Sequence, residues 1–274
     1  MRRIVLFRFH ENQAVCRNRL ELLRRHNPGT PVYGLYGGDE AAFPRVARSI
    51  GQEFTHLYCL SGKTPAWKWL HGDLAVREWH RAVGRGLEFD MLHVVEWDLL
   101  LLDSLGRLYG GVPRGGVGVT ALVPLRLIAD RWGWTQTPRW LAQWEKLLAY
   151  SRAVYGYEAE PHASLGPGLC LPKEFLDLYA ACDVPQLCHD EVRLPLFAQN
   201  LGFGLYDTGF CRGWFDARDE AYFNCTNKEI GLGVIRAELG VPAGRRAFHP
   251  HRQVYEEPQA ESVGTAERLA ASTA

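Results

Sequence analysis

Two carboxylates separated by one residue, Glu96 and Asp98, follow an apolar run that begins at Met91. Side chains of a strand alternate between its two faces, so residues two apart project together. Carboxylates buried without partners are costly, and a divalent cation between them removes that cost. Oxygen ligands of this kind suit Mg²⁺ or Mn²⁺. The triplet Glu96-Trp97-Asp98 therefore indicates either a metal site or a strand end whose acids pair with Arg or Lys.

The first half of the chain predicts the elements that position this triplet. Short apolar runs alternate with amphipathic stretches, which predicts strands over 4–9, 31–36, 54–60 and 90–102 and helices over 13–26, 41–50 and 67–83. Such alternation means crossover connections and an α/β fold whose sheet is mostly parallel and covered by helices. Open sheets of this kind bind ligands at the carboxyl ends of their strands, where Glu96 and Asp98 would lie.

The second half is less regular. Its patterns predict strands over 116–123, 168–171, 205–207 and 247–248 and helices over 140–150, 173–181 and 189–201. No linker-like segment divides residues 1–255, so we expect one compact domain. Residues 256–274 have no apolar periodicity and are expected to form a mobile tail.

Composition excludes several classes of protein. The 274 residues carry 31 Lys and Arg against 31 Asp and Glu, and this balance argues against binding to a nucleic-acid backbone. No apolar stretch reaches the roughly 20 residues that a membrane span needs, and the N-terminus lacks the apolar core of a signal peptide. Seven scattered cysteines form no CxxC pair. We therefore expect a cytoplasmic protein with reduced thiols and no integral membrane segment.

The stretch from His93 to Leu99 resembles the D-x-D element of glycosyltransferases of the GT-A type, with Glu in place of the first Asp. The resemblance implies a GT-A-like, Rossmann-like α/β fold with a mixed, mostly parallel sheet flanked by helices. It also implies a nucleotide- and metal-binding half over 1–103 and an acceptor-binding half over 104–255. Asp98 would be the main ligand of Mn²⁺ or Mg²⁺, and Glu96 would contact the metal or the ribose.

The segment Phe248-His249-Pro250-His251-Arg252 is similar to the H-P-x-K/R element near the end of such enzymes. The resemblance implies that His249 is a further metal ligand, with His251 as the alternative, and that Arg252 contacts the diphosphate. Imidazole is softer than carboxylate and suits Mn²⁺ better than Mg²⁺. Otherwise the segment holds an ordinary pair of loop histidines.

Candidate nucleotide-binding residues follow the second and third predicted strands. Asp39 follows Gly37-Gly38 and would either meet the nucleoside or serve as a turn residue. Lys63 or Lys68 would meet phosphate as a point charge, and the neighbouring Trp67 or Trp69 would stack on the base. Asp73 completes this candidate set. The alternative is solvated lysines and core tryptophans.

Asp190 and Glu191 begin the helix predicted over 189–201. A carboxylate at a helix start is favoured electrostatically and also explains an ordinary N-cap. The resemblance implies that an acid here deprotonates the acceptor hydroxyl in an inverting enzyme, with Asp190 the first choice and Glu191 the second. If neither lies near the reactive carbon, the reaction would retain configuration. By the same resemblance, the glycine-containing stretch 164–170 would lie beside the donor sugar and the acceptor; otherwise it is a plain turn. The tryptophans at 132, 134, 140 and 144 would frame the acceptor if they are exposed and belong to the core if they are buried.

The resemblance thus implies a metal-dependent hexosyltransferase. It would move a sugar from a nucleoside-diphosphate sugar to a hydroxyl of a small soluble metabolite or a glycan. One alternative is a nucleotidyltransferase of related fold, but such enzymes usually carry a glycine-rich basic signature after the first strand, and residues 9–13 hold no glycine. Another is a non-catalytic protein that binds nucleotide-sugars.

Overall fold

A seven-stranded sheet forms the centre of the molecule in the computed structural model, which describes residues 1–257. The strand order is β3-β2-β1-β4-β7-β6-β8. Four of the six neighbouring pairs are parallel, and β7 runs antiparallel to both β4 and β6. The strands are β1 (Arg3–Phe9), β2 (Val32–Tyr36), β3 (His56–Cys59), β4 (Met91–Glu96), β5 (Leu100–Leu101), β6 (Val117–Pro124), β7 (His162–Pro172), β8 (Leu205–Asp207) and β9 (Ala247–Phe248).

Ten α-helices accompany these strands within residues 1–257. They are α1 (Gln13–His26), α2 (Phe43–Ile50), α3 (Pro65–Leu70), α4 (Gly72–Ala82), α5 (Leu105–Leu108), α6 (Pro138–Tyr155), α7 (Lys173–Ala181), α8 (Asp190–Asn200), α9 (Ala217–Glu220) and α10 (Leu232–Leu239). The predicted α/β class, with a mixed and mostly parallel sheet flanked by helices, is confirmed. Of the predicted tail over 256–274, residues 258–274 lie outside the described part of the chain.

Alternation along the central strands creates two apolar layers. Ile4 and Leu6 of β1 pack into one cluster with residues of α4, α7 and α8. Val5, Phe7 and Phe9 point the other way and pack with residues of α1 and α2. A strand buried on both faces has to be apolar on both, which explains the nearly continuous hydrophobic runs of β1 and β4.

Several predicted elements differ in their extent. β7 covers His162–Pro172 where 168–171 was predicted, and α6 covers Pro138–Tyr155 where 140–150 was predicted. The strand predicted over 90–102 ends at Glu96, because the chain turns at Trp97 and Asp98 and Leu99 N donates to Glu96 O at 3.0 Å. Strand alternation therefore does not set the direction of Asp98. The helix predicted over 67–83 is two helices that meet at His71, which leaves the helical region with φ −122°.

A second, two-stranded sheet places the residues around β9 beside the turn at Trp97 and Asp98. β5 and β9 pair antiparallel, with Leu100 opposite Phe248 and Leu101 opposite Ala247. In an antiparallel pair, residues that precede one strand lie beside residues that follow the other. The pairing therefore brings His249, which follows β9, to Asp98, which precedes β5.

Two further properties concern the whole described chain. None of its helices combines the length and apolar character needed to cross a bilayer. All seven cysteines are unpaired, and most of them are buried.

Candidate functional site

A cavity of about 1170 Å³ opens where β1, β2 and β4 end. Its lining brings together residues that are far apart in the sequence. Among the predicted site residues, seven line it: Lys68, Glu96, Asp98, Asp190, Glu191, His249 and Arg252. Parallel strands deliver their carboxyl ends to one edge of a sheet, which is the reason for the position of this cavity.

Asp98, His249 and Arg252 form a contact cluster in the cavity wall. His249 Nε2 lies 3.5 Å from one carboxylate oxygen of Asp98, and Arg252 Nε lies 3.3 Å from the other. The imidazole hydrogen bond to Asp98 and the charge of Arg252 keep the pKa of that carboxyl low despite its burial. Asp98 is therefore ionised at neutral pH. We call these three residues the anion-binding cluster, after the role that we propose for them below.

The donor set of this cluster fits a divalent ion. His249 Nδ1 lies 2.7 Å from the carbonyl oxygen of Asn224, and the other ring nitrogen, Nε2, faces Asp98. Ligating histidines are usually oriented in this way by a second partner. A separation of 3.5 Å is within reach of two ligands of one ion. No three-residue metal cluster occurs among residues 1–257, so such an ion would complete its shell with substrate phosphate and water.

Glu96 faces the same cavity with different partners. Its carboxylate lies 3.4 Å from Arg8 Nη1 and accepts a hydrogen bond of 3.2 Å from Gly168 N. Gly168 has φ +85°, a conformation that favours glycine, and a Cβ there would lie 2.9 Å from the Phe210 ring. The strand end thus holds Glu96 by a guanidinium and a backbone amide, and its contact with the metal or the ribose stays a prediction.

Arg8 is a site residue that the sequence analysis missed. It lies opposite Glu96 in the β1–β4 register, lines the cavity and approaches Asp190 where both pack against Gly72. The available signal was a charged residue inside the buried apolar run 4–9, since an arginine is rarely buried without a partner. Arg8 thus lies between Glu96 at the end of β4 and Asp190 at the start of α8.

Asp190 and Glu191 are half-buried in the cavity wall. Asp190 Oδ2 accepts a hydrogen bond from Gly72 N at 3.1 Å, and Glu191 Oε1 accepts one from Gly166 N at 3.0 Å. The N-cap position belongs to His189, which makes no side-chain cap hydrogen bond, and Asp190 and Glu191 form an acidic first turn of α8. Burial, followed by the charge of Asp73, raises the pKa of Asp190 to about 7. Burial and the charge of Asp190 raise the pKa of Glu191 to about 8.

These raised pKa values predict that the free protein loses stability as the pH rises from about 6.5 to 8. A carboxyl whose pKa is higher in the folded state stabilises that state at low pH, and this contribution disappears as the pH passes the folded pKa. Both side chains are partly exposed, so we expect a loss of about 1–2 kcal/mol for the pair. Urea unfolding of the wild type and of the Asp190→Asn/Glu191→Gln double variant, at both pH values, measures it. An equal pH dependence in the two proteins would contradict the shifts.

Asp73 has a structural role and does not line the cavity. Its carboxylate is fully buried and paired with Arg193, at 2.5 Å to Nη2 and 2.8 Å to Nε, and it accepts a hydrogen bond of 2.6 Å from Tyr179. Arg193 also donates to the carbonyl oxygens of Leu187 and Cys188. The pair therefore anchors the segment that leads into Asp190, and the proposed nucleotide contact of Asp73 is wrong.

Three other predicted residues also lie outside the lining. Asp39 accepts a hydrogen bond from Ala41 N, and Lys63 Nζ lies 4.7 Å from the centre of the Trp67 ring. These placements agree with the alternatives of a turn residue and a solvated lysine. The third, His251, is completely buried, with Nδ1 2.7 Å from Ile230 O. Lys68 does line the cavity, but its buried Nζ donates to Gly38 O at 3.0 Å.

Comparison of the sequence with protein-family models and with curated proteins gave no match. Among solved structures, the chain is similar to the galactosyltransferase LgtC in complex with donor and acceptor sugar analogues, at 14% identity and TM-score 0.39 over 74% of this chain and 72% of that one. An active-site mutant of LgtC gives 14% identity and TM-score 0.40 over the same shares. A 4-diphosphocytidyl-2C-methyl-D-erythritol synthase gives 16% identity and TM-score 0.42 over 80% of this chain and 92% of that one. Similarity of this size does not assign an activity.

Proposed function

We propose that the chain is a glycosyltransferase that moves a sugar from a nucleoside-diphosphate sugar to a hydroxyl acceptor and uses Mn²⁺ or Mg²⁺. One observation carries this proposal: the anion-binding cluster shares a cavity with Asp190, a carboxyl whose pKa is near neutrality. Such a combination supplies both requirements of the reaction. The leaving diphosphate needs positive charge, and the attacking hydroxyl needs a base.

The donor side of the cavity would be organised by the anion-binding cluster. Asp98 and His249 would hold the ion, which neutralises charge on the leaving diphosphate when it is bound. Arg252 would turn its guanidinium towards a phosphate oxygen, since it is half-exposed and has further partners in Asn227. These residues fix the diphosphate, and the sugar would extend from it into the cavity.

Asp190 would act as the base. As the bond between the acceptor oxygen and the sugar C1 forms and the bond from C1 to the diphosphate oxygen breaks, the acceptor proton passes to the Asp190 carboxylate. A base with a pKa of about 7 is well matched to this transfer at neutral pH. Inversion at C1 follows if the carboxylate lies on the face opposite the leaving group, and product stereochemistry reports it.

Loss of the Asp98 charge is expected to abolish metal-dependent binding of nucleoside diphosphates. The Asp98→Asn side chain keeps the shape of the carboxylate but is a poor ligand for Mn²⁺. The wild type should show a melting-temperature increase with one nucleoside diphosphate that requires Mn²⁺, because ligands of the folded state stabilise it. Asp98→Asn should lose that increase.

Asp103→Asn is the matched control for this measurement. Asp103 pairs with exposed Arg107 and does not line the cavity, so the same chemical change there should leave the shift intact. No shift of the wild type with any nucleoside diphosphate would overturn the proposal. Release of pyrophosphate from a nucleoside triphosphate, in place of a nucleoside diphosphate from a sugar donor, would identify a nucleotidyltransferase instead.

A further inference from the structure

The cavity also has an aromatic wall. It consists of Trp69, Trp132, Trp134, His189 and Trp214, all of which line the cavity. It includes Trp69, predicted from the sequence to stack on the base, and Trp132 and Trp134, predicted to frame the acceptor, whereas Trp140 and Trp144 do not line the cavity. Adjacent ring centres are close: 6.3 Å for Trp69–Trp134, 4.9 Å for Trp134–His189, and 5.0 Å for Trp132–His189 and for Trp132–Trp214. The wall is therefore one continuous surface built from four separate parts of the chain.

Two indoles of this wall are open to the cavity. Trp69 is 68% exposed and Trp134 is 38% exposed, whereas Trp132 behind them is buried. Covering aromatic surface is strongly favourable, so large open rings inside a concave site indicate that a ligand covers them. The rings are inclined to one another, at 43° for Trp69–Trp134 and 45° for Trp134–His189, and they form no parallel slot for a flat ring.

The aromatic wall carries no charge at neutral pH. The lining residues contributed by segments 132–137 and 211–215 are all uncharged. Burial, together with the charge of Arg193, lowers the pKa of His189 to about 3, so its ring stays neutral. An anionic ligand would gain nothing from this wall and would meet the carboxyls of Glu96, Asp190 and Glu191. The wall is thus suited to a neutral ligand.

The position of the wall relative to the proposed base is set by His189. This residue directly precedes Asp190, and its Nδ1 lies 3.8 Å from Glu191 Oε2. A ligand on the wall would therefore place its edge near the two acids. The cavity volume of about 1170 Å³ exceeds the roughly 300–1000 Å³ of typical small-molecule pockets, which leaves room for a second substrate beside the donor.

We propose that the aromatic wall is the acceptor subsite and that its ligand is a neutral saccharide. A pyranose has a face of C–H groups that can stack on Trp134 and a rim of hydroxyls that can reach Asp190 and Glu191. This proposal rests on the proposed function, because it assigns the acceptor of that transfer. It narrows the expected acceptor from any hydroxyl compound to uncharged carbohydrate.

Titration of the full chain with maltose, cellobiose and lactose, followed by tryptophan fluorescence and saturation-transfer NMR, tests the subsite. At least one disaccharide should bind saturably, and Trp134→Ala should weaken that binding about tenfold, equivalent to about 1.4 kcal/mol. Trp144→Ala is the matched control, since Trp144 is a partly exposed indole stacked on Trp140 outside this cavity. It should bind the disaccharide as the wild type does.

Three results would overturn the subsite. The first is that no neutral disaccharide binds saturably, and the second is that the Trp134→Ala and Trp144→Ala variants bind a disaccharide equally well. The third is that phenol, choline or glucose 6-phosphate binds more tightly than the disaccharides do. The Mn²⁺-dependent thermal shift with nucleoside diphosphates, measured on the same proteins, distinguishes failure of the subsite from failure of the proposed function. A thermal shift with a nucleoside diphosphate but no saccharide binding would overturn the subsite alone. Saccharide binding without such a thermal shift would support the subsite and overturn the proposed glycosyltransferase function.

Discussion

Asp190→Asn is expected to lower the rate of sugar transfer about 10²–10⁴-fold, the usual contribution of a positioned general base. The amide keeps the shape of the side chain and can still accept a hydrogen bond from Gly72 N, but it cannot take the acceptor proton. Binding of the nucleoside diphosphate should remain, because the anion-binding cluster is unchanged. Single-turnover transfer assays, with nucleotide binding measured in parallel, distinguish these two effects.

Glu191→Gln is the matched control for this experiment. It makes the same carboxylate-to-amide change one residue further along, at a side chain held by Gly166 N. We expect a much smaller loss of rate. A larger loss of rate in Glu191→Gln than in Asp190→Asn would identify Glu191 as the base. Wild-type rates in both variants would contradict a carboxylate base in this segment.

The pH profile of the reaction provides a second check on Asp190. Only the ionised carboxylate can accept a proton, so the transfer rate of the wild type should rise with pH through about 7. The residual activity of Asp190→Asn should lack that step. A profile that is flat between pH 6 and 8 in the wild type would argue against this base.

Asp73→Asn is expected to destabilise the fold by about 3–5 kcal/mol, the range found when one partner of a buried ion pair is removed. Arg193 would keep its charge in a position that is fully buried. It would also hold the carbonyl oxygens of Leu187 and Cys188 less firmly, and Cys188 has a left-handed φ of 58° that few side chains adopt without support. Urea unfolding at pH 7 measures the loss.

The partly exposed pair of Asp103 and Arg107 supplies the comparison for Asp73. Its atoms are 3.4 Å apart, and Arg107 is largely in solvent, so Asp103→Asn should cost less than about 1 kcal/mol. Similar costs for the two substitutions would show that the Asp73–Arg193 pair does not stabilise the segment before Asp190. The structural assignment of Asp73 would then be wrong.

Local sequence patterns were sufficient for most of the fold. The helices α1 and α7 and the strands β8 and β9 have the predicted bounds, and the sheet has the predicted mixed, mostly parallel character. Periodicity predicts such elements because burial of one or both faces of an element dictates which positions are apolar. It failed at 97–98 and at 71, where the chain turns inside otherwise continuous apolar or amphipathic runs. It also failed in the length of β7, which covers His162–Pro172 where 168–171 was predicted.

The site was only partly determined by the sequence. Residue types and chain order selected Asp98, His249, Arg252 and Asp190 as candidates, and all four line one cavity. The tertiary structure alone decided that the imidazole of His249, and not that of His251, lies beside the Asp98 carboxylate, and that Asp73 lies in a buried ion pair. The tertiary structure also produced the raised pKa of Asp190. Pairing, burial and charge depend on neighbours that are distant in the chain, whereas a local pattern shows only which face of an element is buried.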